Sequence, residues 1–120
     1  MSHIVTIKTR VHDSAAVSAA CTRLGLPTPK QGTARLFSGE CAGLLVLLPG
    51  WQYPAVIDTQ TGNVNYDNFE GHWGDQQQLN KFLQMYAVEK AKLEARKKGF
   101  QVSEQTFQDG SIKLQIIEGA

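Results

Sequence analysis

Apolar residues recur at helical spacing over one long stretch of this chain, while the rest alternates or falls into short runs. Leu79, Phe82, Leu83, Tyr86 and Leu93 share a stripe that Lys81, Gln84, Lys92 and Glu94 avoid, which predicts an amphipathic helix between Trp73 and Phe100. Asp75 followed by Gln78 is a variant capping box, with the carboxylate accepting from N–H groups of the first turn. Lys97, Lys98 and Gly99 mark the other end: cations face the negative dipole end, a glycine is free to turn left-handed, and Phe100 folds back as the hydrophobic follower.

Upstream, Ile4 to Val11 alternates as a half-buried strand does. Asp13 caps a short helix with Val17, Ala20, Cys21 and Leu24 on one face, closed by Gly25, Leu26 and Pro27. Pro27 to Thr33 reads as a loop with Pro29 and Lys30 at its tip. Ala34 to Ser38 reads as a strand, Gly39 to Gly43 as a turn or bulge, and the aliphatic run Gly43 to Leu48 as the central strand, buried on both faces. Pro49-Gly50 breaks it. Trp51, Gln52 and Tyr53 form a loop before Pro54 opens a short strand through Asp58, and after a turn at Thr59 to Asn63 the alternation returns through Val64 and Tyr66. Beyond the long helix, Phe100, Val102 and Thr106 alternate, Asp109-Gly110 serves as a two-residue turn, and Ile112, Leu114 and Ile116 return. The order β-α-β-β-β-β-α-β-β predicts a single α+β domain over residues 1–120, with a mainly antiparallel sheet of about six strands and both helices on one face.

Composition narrows the class. The hydrophobic fraction of 42% and charged fraction of 19% are those of an ordinary globular domain. A formal net charge of +1 makes no long-range field that would nominate a polyanionic partner. Cys21 and Cys41 are too few and too separated for a disulfide scaffold or a C-x-x-C site, so a reducing cytoplasm is the expected compartment. Met1 to Ile4 carries neither a charged n-region nor an apolar h-region, so no signal peptide is expected. The apolar run Leu44 to Leu48 is far shorter than the roughly 20 residues a membrane helix needs.

The candidate reactive groups are His3, His12, His72, Cys21, Cys41 and the carboxylates Glu40, Asp58, Asp67, Glu70 and Asp75. Cys21 lies on the apolar face of the first helix, where a thiol packs as a small hydrophobe. Cys41 sits beside Glu40 without a neighbouring histidine to lower its pKa. The histidines share no metal-ligand spacing, and no metal or other cofactor is expected. Gly39 to Gly43 lacks the lysine of a phosphate loop.

Glu70-Gly71-His72-Trp73-Gly74-Asp75 is the most unusual local composition. One reading makes His72 a general acid or base oriented by Glu70 or Asp75, with Cys41 as a further candidate. The structural reading, which is favoured, lets Trp73 staple the first turn of the helix and Gly71 and Gly74 provide a tight entry. Lys90, Lys92, Arg96, Lys97 and Lys98 make a basic helix end, but Glu89 and Glu94 offer them partners, so a solvated face is preferred to a nucleic-acid stripe. Trp51 and Tyr53, in a loop, are the residue types enriched at binding hot spots.

Met1-Ser2-His3, Trp73-Gly74 before the long helix, Tyr86-Ala87 within it, Gly99-Phe100 after it and Asp109-Gly110-Ser111 in the last hairpin are ordered and spaced as in a small family found in bacteria, cyanobacteria and algal plastids. The chain resembles that family, termed a hypothetical chloroplast reading frame, nearly end to end. The resemblance implies no activity, since the family has no assigned catalytic residues. It implies an accessory role, because similar genes often lie beside one for an AAA-type ATPase. The expectation is a small, non-enzymatic, cytoplasmic interaction or adaptor module that binds protein, with no membrane partner, through Trp51, Tyr53, His72, Trp73 and Asp75. The rival expectation is a ligand-binding protein or enzyme using a pocket around His72.

Overall fold

A computed structural model describes residues 3–118. The long helix is α2, Gln76–Lys97. Asp75 Oδ1 accepts from Gln77 N at 2.9 Å. At the far end Gly99 takes φ 79°, and Phe100 N donates to Ala95 O at 3.0 Å, satisfying carbonyls the helix leaves open. Helix α1, Ser14–Leu24, is capped by Asp13, whose Oδ1 accepts from Ala15 N and Ala16 N. Gly25 closes it at φ 72°. The two helices pack together, and Asp13 ties them. Its backbone N–H donates to Tyr86 Oη at 3.2 Å and its Oδ2 accepts from Lys90 Nζ at 3.0 Å.

Five strands form one antiparallel sheet: β1 Val5–Ile7, β2 Lys30–Leu36, β3 Gly39–Val46, β4 Ala55–Asp58 and β5 Asn63–Tyr66, in the order β1-β5-β4-β3-β2. Both helices cover one face. Val17, Ala20 and Cys21 of α1 and Leu79, Phe82 and Tyr86 of α2 meet Leu44, Val46, Ala55, Ile57, Val64 and Tyr66 of the sheet. Alternation puts Leu45 and Val56 on the opposite face, where they join Ala34, Leu36, Cys41, Tyr53 and Ile4 in a second, smaller core. β3 pairs with β4 only through Leu44–Val46, so Gly39–Gly43 extends free of β4 and carries β2 with it. At Gly43 the backbone comes so close to the Ile57 carbonyl that a Cβ would overlap it. The hairpin therefore bends across the sheet, and Gly39 comes to lie against Ile4, a Cβ there falling 3.6 Å from Ile4 Cδ1.

The α+β class and the element order agree with the sequence reading, but several boundaries and placements differ. The middle strand is β4, whose Ala55, Val56 and Ile57 are all fully buried. The aliphatic run Leu44–Leu48 instead sits one strand out, with Leu47 51% exposed. The first strand stops at Ile7 rather than Val11 because β5 offers partners only for Val5–Ile7, and Val11 N donates to Gly62 O instead. β2 starts at Lys30, inside the segment read as a loop, because the long β3 pairs with it throughout.

The last two strands, β6 Gln101–Thr106 and β7 Ile112–Ile117, do not join the main sheet. With 22 residues, α2 runs about 33 Å at 1.5 Å per residue and carries the chain past the sheet edge. The turn also differs: Phe107 N donates to Ser111 O, leaving Gln108, Asp109 and Gly110 as a three-residue loop with Gly110 at φ 88°. Such a loop matches strand twist through a left-handed glycine. A lone two-stranded hairpin is marginal in water, and here Arg23 of α1 clamps it. Its guanidinium donates twice to the Glu104 carboxylate, both at 2.6 Å, and once to Glu89 at 3.3 Å. Lys92 also pairs with Glu89, and Lys90 and Lys97 pair with Glu94, which accounts for most of the basic helix end. No helix of the described residues is long and apolar enough to cross a membrane.

The hydrogen bonds from Arg23 hold the Glu104 carboxyl below the usual carboxylate range. A carboxyl with a depressed folded pKa stabilises above its unfolded pKa, about 4.3 for Glu, and that contribution is lost as pH falls through the folded value. Glu104→Gln is therefore expected to speed amide hydrogen exchange in β6 and β7 at neutral pH, by local opening easier by on the order of 1 kcal/mol, while Ala55–Ile57 exchange as before. Wild type should reproduce this selective loss of protection below about pH 4.

Candidate functional site

The segment between β5 and α2 shapes the region that the sequence singles out. Asp67 and Asn68 are both buried polar residues, 1% and 5% exposed. Asp67 Oδ1 accepts from Phe69 N at 3.2 Å. Asn68 Nδ2 donates to Gly74 O at 3.1 Å and Gln76 Oε1 at 3.2 Å, while its carbonyl accepts from Gly71 N and Trp73 N. One asparagine thus closes the segment from Asn68 to Gln76 on itself. Between these ties the backbone runs left-handed through Phe69 (φ 47°), Glu70 (φ 52°) and Gly71 (φ 98°), which costs on the order of 1 kcal/mol at each of the two non-glycine positions.

The loop throws Trp73 onto the face away from the helices. Its ring lies 4.9 Å from Phe69, 5.1 Å from Phe37 and 5.7 Å from Tyr53, measured between centroids. His72 is exposed and lies against Phe69 at 4.7 Å. Phe37, at the tip of the β2–β3 hairpin, is 59% exposed. These rings form a half-open aromatic face on the rim of the second core, at the edge-on and tilted geometries aromatic pairs prefer. Phe37 and Phe69 were not singled out by the sequence. Their signal is tertiary, since the bend at Gly43 is what brings the hairpin tip to Trp73.

Trp73 does not staple the first turn of α2; Trp51 occupies that place. The Trp51 indole Nε1 donates to Asp75 O at 2.9 Å, and its ring meets Tyr66 edge-on at 5.7 Å. A Cβ added to Gly74 would collide with the indole, so glycine is required there for close packing rather than for backbone freedom. Trp51 and Tyr53 thus part company, the first packing with the helix-side core and the second with the other. Gln52 N, between them, donates to Trp73 O at 2.9 Å. The exposed Asp75 spends its carboxylate on the helix cap.

Cys41 is half-buried in the second core, and burial raises its thiol pKa. Cys21 is pushed up to about 11 by burial between α1 and the sheet. Thiols held protonated at neutral pH are poor nucleophiles. His12 Nδ1 lies 2.9 Å from Thr59 O, bracing the β4–β5 turn. Glu40 is exposed and reaches Arg35 at 3.9 Å. Glu70 and His3 line a cavity with Asp67. Among the described residues, no group of three or more His, Cys, Asp and Glu side chains converges to hold a metal ion.

Comparison with protein-family models, with curated proteins and with solved structures finds no match.

Gly74→Ala is expected to lower folding stability by about 2 kcal/mol through overpacking, read from the denaturant midpoint. Trp51→Ala should cost about 3 kcal/mol by leaving a cavity. If either variant unfolded at the wild-type midpoint, the Trp51–Gly74 contact would not be what seats α2.

Proposed function

We propose that this chain is a small non-enzymatic protein-interaction module, an accessory to a larger assembly, whose contact surface is the aromatic face of Phe37, Tyr53, Phe69 and Trp73. The observation that carries this reading is Phe37. A phenylalanine 59% exposed that packs on Trp73, itself against Tyr53 and Phe69, is the kind of exposed apolar patch that marks interaction sites on monomers. Tryptophan and tyrosine dominate such sites because they bury large area at small entropic cost. His72 at the edge of the face and the Asp75 corner of α2 would form its polar rim.

The partner chemistry that fits is a protein segment presenting apolar side chains. The resemblance to a family whose genes accompany an AAA-type ATPase supports placing that segment on such an ATPase or on a protein of its assembly, in the cytoplasm. The paired charges along α2 give no support to a nucleic-acid partner.

Phe37→Ala tests the reading, because an exposed side chain can be removed without disturbing the core. Its unfolding midpoint should stay within about 0.5 kcal/mol of wild type. Affinity capture at native expression level should retain a defined partner with wild type, an AAA-type ATPase or a protein of its complex, and at least tenfold less of it with Phe37→Ala. Equal retention by both baits would remove the aromatic face from the function.

A further inference from the structure

A separate cavity of about 280 Å³ opens between β1, β5 and the left-handed turn. Val5, Tyr66 and Phe69 supply apolar wall, and Asp67, Glu70 and His3 supply charge and polarity. Glu70 and His3 are exposed, so they stand at the open side, whereas Asp67 is 1% exposed. Its Oδ1 is occupied by Phe69 N, but its Oδ2 is buried with no hydrogen-bond partner among the described residues. It is the one buried side-chain oxygen or nitrogen so left among those residues. A buried carboxylate oxygen without a donor is costly, and folds retain such groups where something else supplies the donor.

The neighbouring amide donors are committed elsewhere. Asn68 Nδ2 serves Gly74 O and Gln76 Oε1, and Gln76 Nε2 lies 3.4 Å from Asn80 Oδ1. Two carboxylates, Asp67 and Glu70, therefore share the cavity with no lysine or arginine among its lining. A cation that donates directional hydrogen bonds would satisfy the orphan oxygen and balance both carboxylates. Three-ligand geometry for a metal ion is absent among the described residues, and the apolar walls suit a hydrocarbon stem. The rings of Tyr66 and Phe69 add the electron-rich surfaces that attract ammonium groups.

We infer that this cavity binds a primary ammonium carried on an aliphatic stem, the chemistry shared by a free alkyl diamine and a lysine side chain. The ammonium donates to Asp67 Oδ2 at the bottom, Glu70 supplies a second negative charge at the mouth, and the methylenes lie along Val5, Tyr66 and Phe69. Phe69 borders both sites, but Phe37, Tyr53 and Trp73 do not line the cavity, so Phe37→Ala and Asp67→Asn test the two readings separately.

Asp67→Asn is the decisive variant. Asparagine keeps an oxygen to accept from Phe69 N and removes the charge, so the protein should fold with a thermal midpoint equal to or above wild type. Titration by NMR uses cadaverine and N-acetyl-lysine methylamide as probes and pentanol as the uncharged control. Saturable shifts of Val5 and Tyr66 are expected with an amine, at least tenfold weaker in Asp67→Asn, and none with pentanol. A stronger response to cadaverine assigns the site to free amines, and a stronger response to the lysine derivative assigns it to a protein side chain. No saturable shift with either amine, equal affinity in the variant, or binding of pentanol would overturn the inference. So would a midpoint several degrees lower in Asp67→Asn, since it would mean that Oδ2 has a structural partner.

Discussion

The contact between the Trp51 indole and the bare backbone of Gly74 is the constraint on which the functional half of the molecule rests. The indole covers the entry to α2, donates to the Asp75 carbonyl and packs on Tyr66, so it joins the loop after β3, the end of β5 and the first turn of the helix at one point. Once that point is set, the chain from Asp67 to Gly74 has to fit a short span. The left-handed backbone at Phe69 and Glu70 is how it fits. The strain is offset by the bonds of the buried Asn68, and its consequence is to turn Trp73 outward to one side and Asp67 inward to the other.

The two faces of the sheet are stabilised differently. On one, two helices bury a continuous core centred on Phe82, Leu79 and Ile57. On the other, among the described residues, no α-helix packs, and the β2–β3 hairpin serves instead by bending at Gly43. That cover is thinner. It ends at Phe37, which is why an aromatic surface is left half-open at the rim while Val56 beneath the sheet is wholly buried. The exposure that suggests a contact surface is thus a by-product of how far a hairpin can reach.

Charge plays a local part. Arg23, Glu104, Glu89 and Lys92 hold the C-terminal hairpin to the helices, and Asp13, Lys90 and Glu94 join the two helices. Exposed pairs of this kind contribute little singly, but the bidentate arginine acts together with Gln84, whose Nε2 donates to Gly110 O at 3.0 Å, to tie the hairpin at both its strand and its turn.

Local rules were legible from residues alone wherever a few neighbours settle the geometry. Asp13, Asp75, Gly25 and Gly99 marked both helix ends because capping is satisfied within one turn, and the period-two and helical patterns distinguished strand from helix because each buries one face. Those patterns determined the α+β class and the element order. They did not determine strand neighbours: Leu44–Leu48 reads as the middle of a sheet, yet which strand lies centrally depends on pairings between residues far apart in sequence. The same holds for the candidate sites. Trp51 and Tyr53 are separated by a single residue and look equivalent, but the bend at Gln52 sends them to opposite cores. Phe37, Phe69 and the unpartnered oxygen of Asp67 became visible only when a hairpin tip, a strained turn and a buried loop were brought together, because burial and the want of a hydrogen-bond donor are properties of surroundings that only tertiary packing supplies.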